Sequence, residues 1–138
     1  MDPYAPADLP PCRFCPTLLK NAVVAEMGDV CAIADAHPVS AGHHLIIPKR
    51  HCADWFATTE KERRDADALI MLLKRRIVEA DPSVSGFNIG VNCGAAAGQT
   101  VFHAHTHLIP RRDGDTPRPR GGVRGVIPHQ MDYPPDPG

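Results

Sequence analysis

The sequence contains no long apolar run and no surplus of charge of either sign, and its opening segment is not expected to act as a secretory leader. No stretch of its 138 residues approaches the roughly 18 apolar residues that a membrane-spanning helix requires. The opening segment, MDPYAPADLPP, has neither a basic start nor an apolar core, which argues against a signal peptide. The net charge of -1 provides no general attraction to nucleic acid or to an anionic membrane. The sequence therefore predicts neither a nucleic-acid partner nor a membrane partner.

A complete disulfide framework is also excluded, because the five cysteines are an odd number. Reduced thiols in the cytoplasm are the simplest interpretation. Cys12 and Cys15 form a C-x-x-C pair, whereas Cys31, Cys52 and Cys93 are scattered along the chain. In a reducing compartment such a pair is either redox-active or part of a metal site, and its spacing alone leaves both possibilities open.

Apolar patterning predicts five strands and one long helix in a chain that has the size of a single domain. The predicted strands are 21–27, 30–35, 43–48, 86–92 and 100–110, the first two forming a hairpin around Gly28 and Asp29. A helix is predicted from Thr59 to Ala80, because Thr59 and Glu62 have capping-box spacing and apolar residues follow at helical period. This order of elements implies an antiparallel α+β sheet.

Both ends of the chain have a composition unlike that of its centre. Residues 1–11 contain four prolines and predict a flexible arm, and residues 12–112 form the predicted domain. Residues 113–138 contain six prolines together with arginines 118, 120 and 124, so this segment is predicted to wrap over the domain without long regular elements. The arginines could reach a distal phosphate, although solvated side chains are the simpler interpretation.

Three histidines alternate along the fifth predicted strand: His103, His105 and His107. A regular strand sends every second side chain to the same face, so the three imidazoles are predicted to stand in one row. Alternating imidazoles also bind metals, and three ordinary surface or core histidines are a further alternative. The pattern therefore indicates a functional face without choosing its chemistry.

A loop of small residues lies immediately before these histidines. Gly94 and Gly98 flank three alanines, so the backbone N–H groups of this loop could approach an anion such as phosphate closely. Gln99 and Thr100 add neutral hydrogen-bond donors. The combination favours chemistry on an anionic substrate.

The stretch GQTVFHAHTHLIPR resembles the signature of the histidine triad (HIT) family, H-φ-H-φ-H-φ-φ, in which φ is apolar. Thr106 is a mild departure from it. The segment AIADAHPVSAGHHLIIPKRH is similar to a second segment of the family, and the likeness covers residues 12–112. It implies a HIT-like α+β fold with a five-stranded antiparallel sheet, one main helix and a short N-terminal helix, assembled as a homodimer.

The resemblance implies a nucleotide hydrolase or transferase that cleaves at the α-phosphate of a nucleoside phosphoramidate or a dinucleoside polyphosphate. His105 would attack phosphorus and form a nucleotidyl-histidine intermediate. Its second ring nitrogen would be held by a backbone carbonyl of the triad strand. His107 would hydrogen-bond the phosphate oxygens, and His43 would support the triad from behind.

Recognition of a purine nucleotide is also implied by the resemblance. Asp35 would bind the ribose hydroxyls, because a carboxylate accepts hydrogen bonds from both. Phe14 and Ile33 would form the base pocket. The residues implied around the phosphate are Asn92, Gly98, Gln99, Thr100, His105 and His107.

Some members of the family carry zinc bound by a C-x-x-C pair, a histidine after the third strand and the first triad histidine. This sequence supplies all four as Cys12, Cys15, His51 and His103. Two thiolates and two imidazoles are a complete tetrahedral set for a structural zinc ion. A redox dithiol and unmetallated thiols are the alternatives.

Two other functions compete with the nucleotide hydrolase. One is a non-catalytic nucleotide-binding or scaffold protein, which would keep the pocket without turnover. The other is a zinc metallohydrolase with the metal on the triad, although the nearest carboxylate that follows the triad, Asp113, lies beyond the strand. His37, His44 and His129 are interpreted as ordinary exposed histidines.

Overall fold

The computed structural model describes residues 12–134, which form a five-stranded antiparallel sheet with a long helix on one face. The strands are β1 (Val23–Met27), β2 (Val30–Ala34), β3 (His44–Pro48), β4 (Val84–Val91) and β5 (Thr106–Arg112). Their order in the sheet is β1-β2-β3-β5-β4. The helices are α1 (Pro16–Leu19) and α2 (Glu60–Ala80). The predicted α+β fold, with one main helix and a short N-terminal helix, is confirmed, whereas the predicted arm at 1–11 lies outside the described residues.

The long helix α2 begins at the capping box that the sequence predicts. The Glu62 N–H donates to the Thr59 hydroxyl at 3.0 Å, and the Thr59 N–H donates to the Glu62 carboxylate at 2.7 Å. One stripe of the helix, which includes Leu69 and Leu73, packs against the sheet. No helix in the part of the chain that the structure describes is long and apolar enough to cross a membrane.

Both faces of the central strands are buried, each in its own apolar cluster. The cluster under α2 consists of Val30, Ala32, Ile46, Leu69, Leu73 and Leu108. The cluster on the opposite face consists of Phe14, Leu19, Cys31, Ile33, Leu45 and Ile47. The short helix α1 and the segment before it cover this second face, where the third triad histidine also emerges.

The triad region differs from the predicted strand at 100–110. Strand β5 begins only at Thr106, and residues 101–105 form an irregular segment ahead of it. The Ala104 N–H donates to the Cys52 carbonyl at 2.7 Å, which ties this segment to the loop after β3 instead of extending β5. The prediction of one regular row of three imidazoles is therefore wrong, because only His107 lies within a strand.

The C-terminal segment follows β5 with short 3₁₀ turns at Gly122–Val126 and Pro128–Gln130. Its arginines contact the segment itself. Arg118 pairs with Asp132 at 2.9 Å, and Arg124 donates to the Gln130 carbonyl at 2.9 Å. Arg120 donates to the Pro134 carbonyl at 2.9 Å. In this arrangement the arginines stabilise the path of the segment and do not point to a distal phosphate.

Candidate metal centre and active site

Two thiols and two imidazoles from three distant parts of the chain meet next to α1. The metal-binding atoms of Cys12, Cys15, His51 and His103 all lie within 4.8 Å of one another. The Sγ atom of Cys15 is 3.4 Å from Nδ1 of His51 and 3.7 Å from Nδ1 of His103. The structure therefore brings together all four residues of the predicted metal set.

The spacing and protonation of this cluster fit a tetrahedral zinc ion. Zinc–sulfur and zinc–nitrogen bonds of about 2.3 and 2.0 Å give a sulfur–nitrogen edge of roughly 3.5 Å. The Cys12 Sγ to His103 Nδ1 distance of 3.5 Å matches that edge. Nε2 of His103 donates to the Pro48 carbonyl at 2.7 Å, so Nδ1 keeps its lone pair for a metal.

The middle triad histidine is held in one tautomer by the backbone of the first. Nδ1 of His105 lies 2.8 Å from the carbonyl oxygen of His103, to which it must donate. Nε2 of His105 consequently keeps its lone pair. The ring of Phe14 packs edge-on against that of His105, with 5.0 Å between ring centroids. This half-buried imidazole is therefore positioned with one nitrogen available as a nucleophile.

The third triad histidine belongs to a chain of hydrogen bonds that also fixes its tautomer. The Val39 N–H donates to Nδ1 of His43 at 3.1 Å, so the proton of neutral His43 must lie on Nε2. That Nε2–H donates to Nδ1 of His107 at 2.9 Å. The proton of neutral His107 then lies on its own Nε2, where it can be donated to a substrate oxygen.

Burial keeps both members of this histidine pair neutral. Loss of solvation is the largest cause of the lowered pKa of His43, and it outweighs the opposing effect of the Asp35 carboxylate. Loss of solvation also lowers the pKa of His107, and the neighbouring imidazoles of His105 and His43 lower it further. The carboxylate of Asp35 lies 3.4 Å from Nε2 of His43, at the edge of the site.

Asp35, His43 and His107 also present donor atoms within 4.8 Å of one another, which raises the possibility of a metal on the triad side. Two nitrogens bound to one tetrahedral zinc ion lie roughly 3.3 Å apart. The 2.9 Å separation in the His43–His107 pair is that of a hydrogen bond. The geometry of this group therefore favours a proton between the two rings.

The loop before the triad was predicted to contact phosphate through Gln99, but the Gln99 side chain forms its hydrogen bonds within the protein. The Gly94 N–H donates to Oε1 of Gln99 at 2.8 Å, and Nε2 of Gln99 donates to the carbonyls of Ala53 and Val101 at 2.6 and 3.1 Å. These bonds engage both amide hydrogens of this buried side chain, so a direct contact of Gln99 with phosphate would require an exchange of partners. Gly98 adopts a φ of +93°, which favours glycine.

The remaining predicted residues occupy three kinds of position. Thr100 is exposed on the loop, and Asn92 is half-buried in the wall of a cavity beside His107. Phe14 and Ile33 belong to the buried apolar cluster, each with 6% of its surface exposed, so they underlie the site more than they open into it. Among the other histidines, His37 and His129 are exposed and His44 is half-buried.

The sequence analysis did not predict the cavity beside His107, which has a volume of about 560 Å³. It lies beside β4 and β5, and its lining includes Val39, Ile109, Arg111, Val123 and Val126. The sequence signals for it were weak: a glycine within β4 opposite His107, and valines in a C-terminal segment with no periodic pattern.

Comparisons with known proteins agree with this fold. The HIT domain model matches residues 18–114. An uncharacterised HIT-like protein of Mycobacterium tuberculosis is 37% identical over 108 residues, which are 76% of this chain and 74% of that protein. Adenylylsulfatase HINT3 of Arabidopsis thaliana is 39% identical over 107 residues, covering 75% of this chain and 54% of that protein.

Among solved structures, a zinc-bound histidine triad family protein from Mycobacterium smegmatis is similar, with a TM-score of 0.67 and 32% identity. The match covers 92% of this chain and 84% of the other. An antiparallel sheet with a histidine cluster at the start of β5 defines the class of protein. The family model and the similar sequences show that the chain belongs to the HIT family.

We predict that the imidazoles of His43 and His107 titrate below pH 6.5, because burial disfavours their charged forms. NMR titration of the ring resonances measures this directly. The unfolded chain then binds more protons than the folded one once the pH falls below 6.5, so the free energy of unfolding should decrease in that window. Midpoints at or above 6.5 would contradict the neutral histidine pair.

Proposed function

We propose that this protein is a nucleotide hydrolase or transferase that cleaves at the α-phosphate of a nucleoside phosphoramidate or a dinucleoside polyphosphate through a nucleotidyl-histidine intermediate. The observation that carries the proposal is the 2.8 Å bond from Nδ1 of His105 to the His103 carbonyl. In the neutral imidazole this bond places the proton on Nδ1 and leaves the lone pair on Nε2, so that no separate base is needed to expose it. Membership of the HIT family and the similarity to an adenylylsulfatase support the same reaction class.

The reaction proceeds in two displacements. The lone pair of His105 Nε2 forms a bond to the α-phosphorus, and the leaving group departs with the electron pair of its own bond to phosphorus. The ring becomes cationic, and the His103 carbonyl that accepts its Nδ1–H stabilises the charge. Water or another acceptor then attacks phosphorus, and the phosphorus–nitrogen bond breaks so that its electrons return to Nε2.

The other residues around the triad bind and orient the nucleotide. Nε2–H of His107 donates to a phosphate oxygen, a role that its neutral tautomer permits. Asn92, Gly98 and Thr100 are the further phosphate-side residues, and Gln99 holds their loop. Asp35 binds the ribose of a purine nucleotide, and the cluster that contains Phe14 and Ile33 supports the base.

The two rival functions have less support in the geometry. A metallohydrolase would need an ion on the triad side, where His43 and His107 already share a hydrogen bond of 2.9 Å. A non-catalytic binding protein would have no use for a nucleophile held in a single tautomer. Turnover by the wild type that is lost in a His105 variant separates the hydrolase from the binding protein, and the effect of EDTA on turnover separates it from the metallohydrolase.

His105→Asn should retain nucleotide binding while losing turnover by several orders of magnitude, because asparagine provides no nucleophilic nitrogen. The measurement is kcat/KM for adenosine 5′-phosphoramidate, together with AMP affinity. His44→Asn is the matched control, since His44 lies at the start of β3 and bonds the Gly42 carbonyl. More than about a tenth of wild-type activity in the first variant, under 1.4 kcal/mol in barrier, would contradict the mechanism.

We also propose that Cys12, Cys15, His51 and His103 hold a structural zinc ion. Four protein ligands leave no open position for water, whereas a catalytic zinc ion keeps one. When bound, the ion would tie the segment before α1 to the loop after β3 and to the triad segment. Its thiolates need a reducing compartment, which is consistent with a cytoplasmic location.

Cys12→Ser should release zinc and lower the melting temperature before it alters the chemistry, because the ion joins three distant segments. Elemental analysis should find about one zinc per wild-type chain. Cys93→Ser, a thiol outside the cluster, should retain the metal and the melting temperature. Immediate loss of turnover on brief EDTA treatment, with the fold intact and zinc restoring activity, would favour the metallohydrolase instead.

A homodimer is the third part of the proposal. Within residues 12–134, β4 pairs with β5 alone and forms one edge of the sheet. Ile89 on this strand is 50% exposed, and Met71 on α2 is 61% exposed. Apolar side chains along an open edge and the adjoining helix suit a two-fold contact with a second copy.

Ile89→Arg should convert the dimer to monomer, because it places a charge at the centre of the proposed contact. Sedimentation at micromolar concentration should give a species near twice 14.9 kDa for the wild type. Val24→Arg is the control, since Val24 is 52% exposed on β1 at the opposite edge of the sheet. A single wild-type species near 14.9 kDa would contradict dimerisation.

A further inference from the structure

The cavity beside His107 is lined by none of the residues proposed to bind the nucleoside, which are Phe14, Ile33 and Asp35. Its wall extends from β4 and β5 to Val39, Ser40 and His43 in the connection that precedes β3. His43 and His107 both line the cavity. With the phosphate at His105 and His107, the group that leaves phosphorus would enter this cavity, an inference that rests on the proposed function.

The charged groups of the cavity are already paired with each other. Nε and Nη2 of Arg111 donate to the two carboxylate oxygens of Asp115, each at 2.8 Å, and Nη1 donates to Oδ1 of Asn88 at 2.7 Å. The guanidinium strongly lowers the pKa of Asp115, which keeps the carboxylate charged and the pair intact. Arg111 is the only cation that lines the cavity among residues 12–134, so a chain of further phosphates would find no unpaired positive charge there.

Apolar residues make up much of the remaining lining, namely Val39, Ile89, Val91, Ile109, Val123 and Val126, beside the uncharged polar Ser40, Asn92 and Thr116. Val39 and Val126 are each 72% exposed, and Val123 is 63% exposed. Ile109 lines the cavity from β5, two residues beyond His107. Apolar side chains that gather around a cavity mouth favour an apolar ligand, because its binding removes them from water.

Two of these valines belong to a part of the chain that the family model does not match. The HIT domain model ends at residue 114, whereas Val123 and Val126 lie on the 3₁₀ turn at Gly122–Val126. The same turn approaches β4, since a Cβ built at Gly122 would lie 3.6 Å from Nδ2 of Asn88. Part of the apolar wall is therefore supplied by the C-terminal segment, beyond the residues that the family model matches.

A glycine opens the floor of the cavity next to the triad. Gly90 on β4 pairs with His107 on β5, so the two residues share one face of the sheet. A Cβ built at Gly90 would meet nothing within 4 Å. Its missing side chain thus leaves space directly beside the imidazole that would bind the phosphate.

From this arrangement we propose that the enzyme selects nucleoside 5′-phosphoramidates whose leaving amine carries an apolar, uncharged substituent. The substrate reacts with its amide nitrogen protonated by solvent. The phosphorus–nitrogen bond breaks as His105 Nε2 bonds phosphorus, and the amine departs neutral with the electron pair. Water then adds to phosphorus and returns one proton to solvent, and the His105 bond breaks to release the nucleoside monophosphate.

The first test compares leaving groups on one nucleoside with the full-length protein. The substrates are adenosine 5′-phosphoramidates of ammonia, isopentylamine and β-alanine, together with diadenosine tetraphosphate. The two substituted amines have similar basicity and differ mainly in the carboxylate. We expect kcat/KM for the isopentylamine conjugate to exceed that for the β-alanine conjugate and for diadenosine tetraphosphate at least tenfold.

Equal values, or a preference for either anionic leaving group, would overturn the inference while leaving the proposed function in place. Absence of turnover with every substrate would contradict both. The unsubstituted phosphoramidate separates these outcomes, because it needs the nucleophile and does not need the apolar wall.

Variants of the apolar wall, at Val126, and of the cavity floor, at Gly90, test whether the leaving group lies in this cavity. Val126→Lys should reduce the ratio of isopentylamine to β-alanine turnover about tenfold, and Val24→Lys, on the distant β1, should leave this ratio unchanged. Gly90→Val should reduce the ratio of isopentylamine to ammonia turnover at least fivefold by filling the floor. Gly86→Val is its control, because a Cβ there meets only Cβ of Arg111 at 3.8 Å. Unchanged ratios in both test variants would place the leaving group elsewhere and overturn the proposal.

Discussion

His103 joins the metal cluster to the candidate nucleophile through three separate atoms. Its Nδ1 faces the thiols of Cys12 and Cys15, and its Nε2–H donates to the Pro48 carbonyl at 2.7 Å. Its own carbonyl accepts the Nδ1–H of His105 at 2.8 Å. His103 is fully buried, and the contacts of its ring help to position the backbone carbonyl that His105 uses. The tautomer of His105 therefore depends on the same contacts that close the metal cluster.

A backbone amide determines which ring nitrogens of His43 and His107 carry the protons. The Val39 N–H fixes the proton of His43 on Nε2, and His43 in turn fixes that of His107. No charged donor is needed, which suits a buried pair whose pKa values are lowered by loss of solvation. Two backbone groups thus set the tautomers of the two triad histidines: a carbonyl leaves the lone pair of His105 on Nε2, and an amide leaves the proton of His107 on Nε2, as the proposed nucleophile and donor require.

Sequence reasoning predicted the elements that depend on local chemistry. The capping box at Thr59 and Glu62 and the β1–β2 hairpin follow from adjacent residues, and both form as expected. The prediction of a regular triad strand was wrong, because the alternation of histidines gives no information about the hydrogen bond from the Ala104 N–H to the Cys52 carbonyl. This bond bends the chain before β5. The role of Gln99 was equally hidden, since its partner Ala53 lies 46 residues away. Contacts of long sequence separation decide such details.

The site combines residues that the HIT domain model matches with residues of the C-terminal segment beyond it. The proposed nucleophile, its hydrogen bonds and the metal cluster all come from residues between Cys12 and Arg112, and none of them depends on the substituent carried by phosphorus. Selectivity between leaving groups has to come from surfaces that touch only the leaving group. Val123 and Val126 meet that condition, because they line the cavity without contributing to the hydrogen bonds of the triad. The C-terminal segment can therefore vary the substrate while the chemistry at His105 stays fixed.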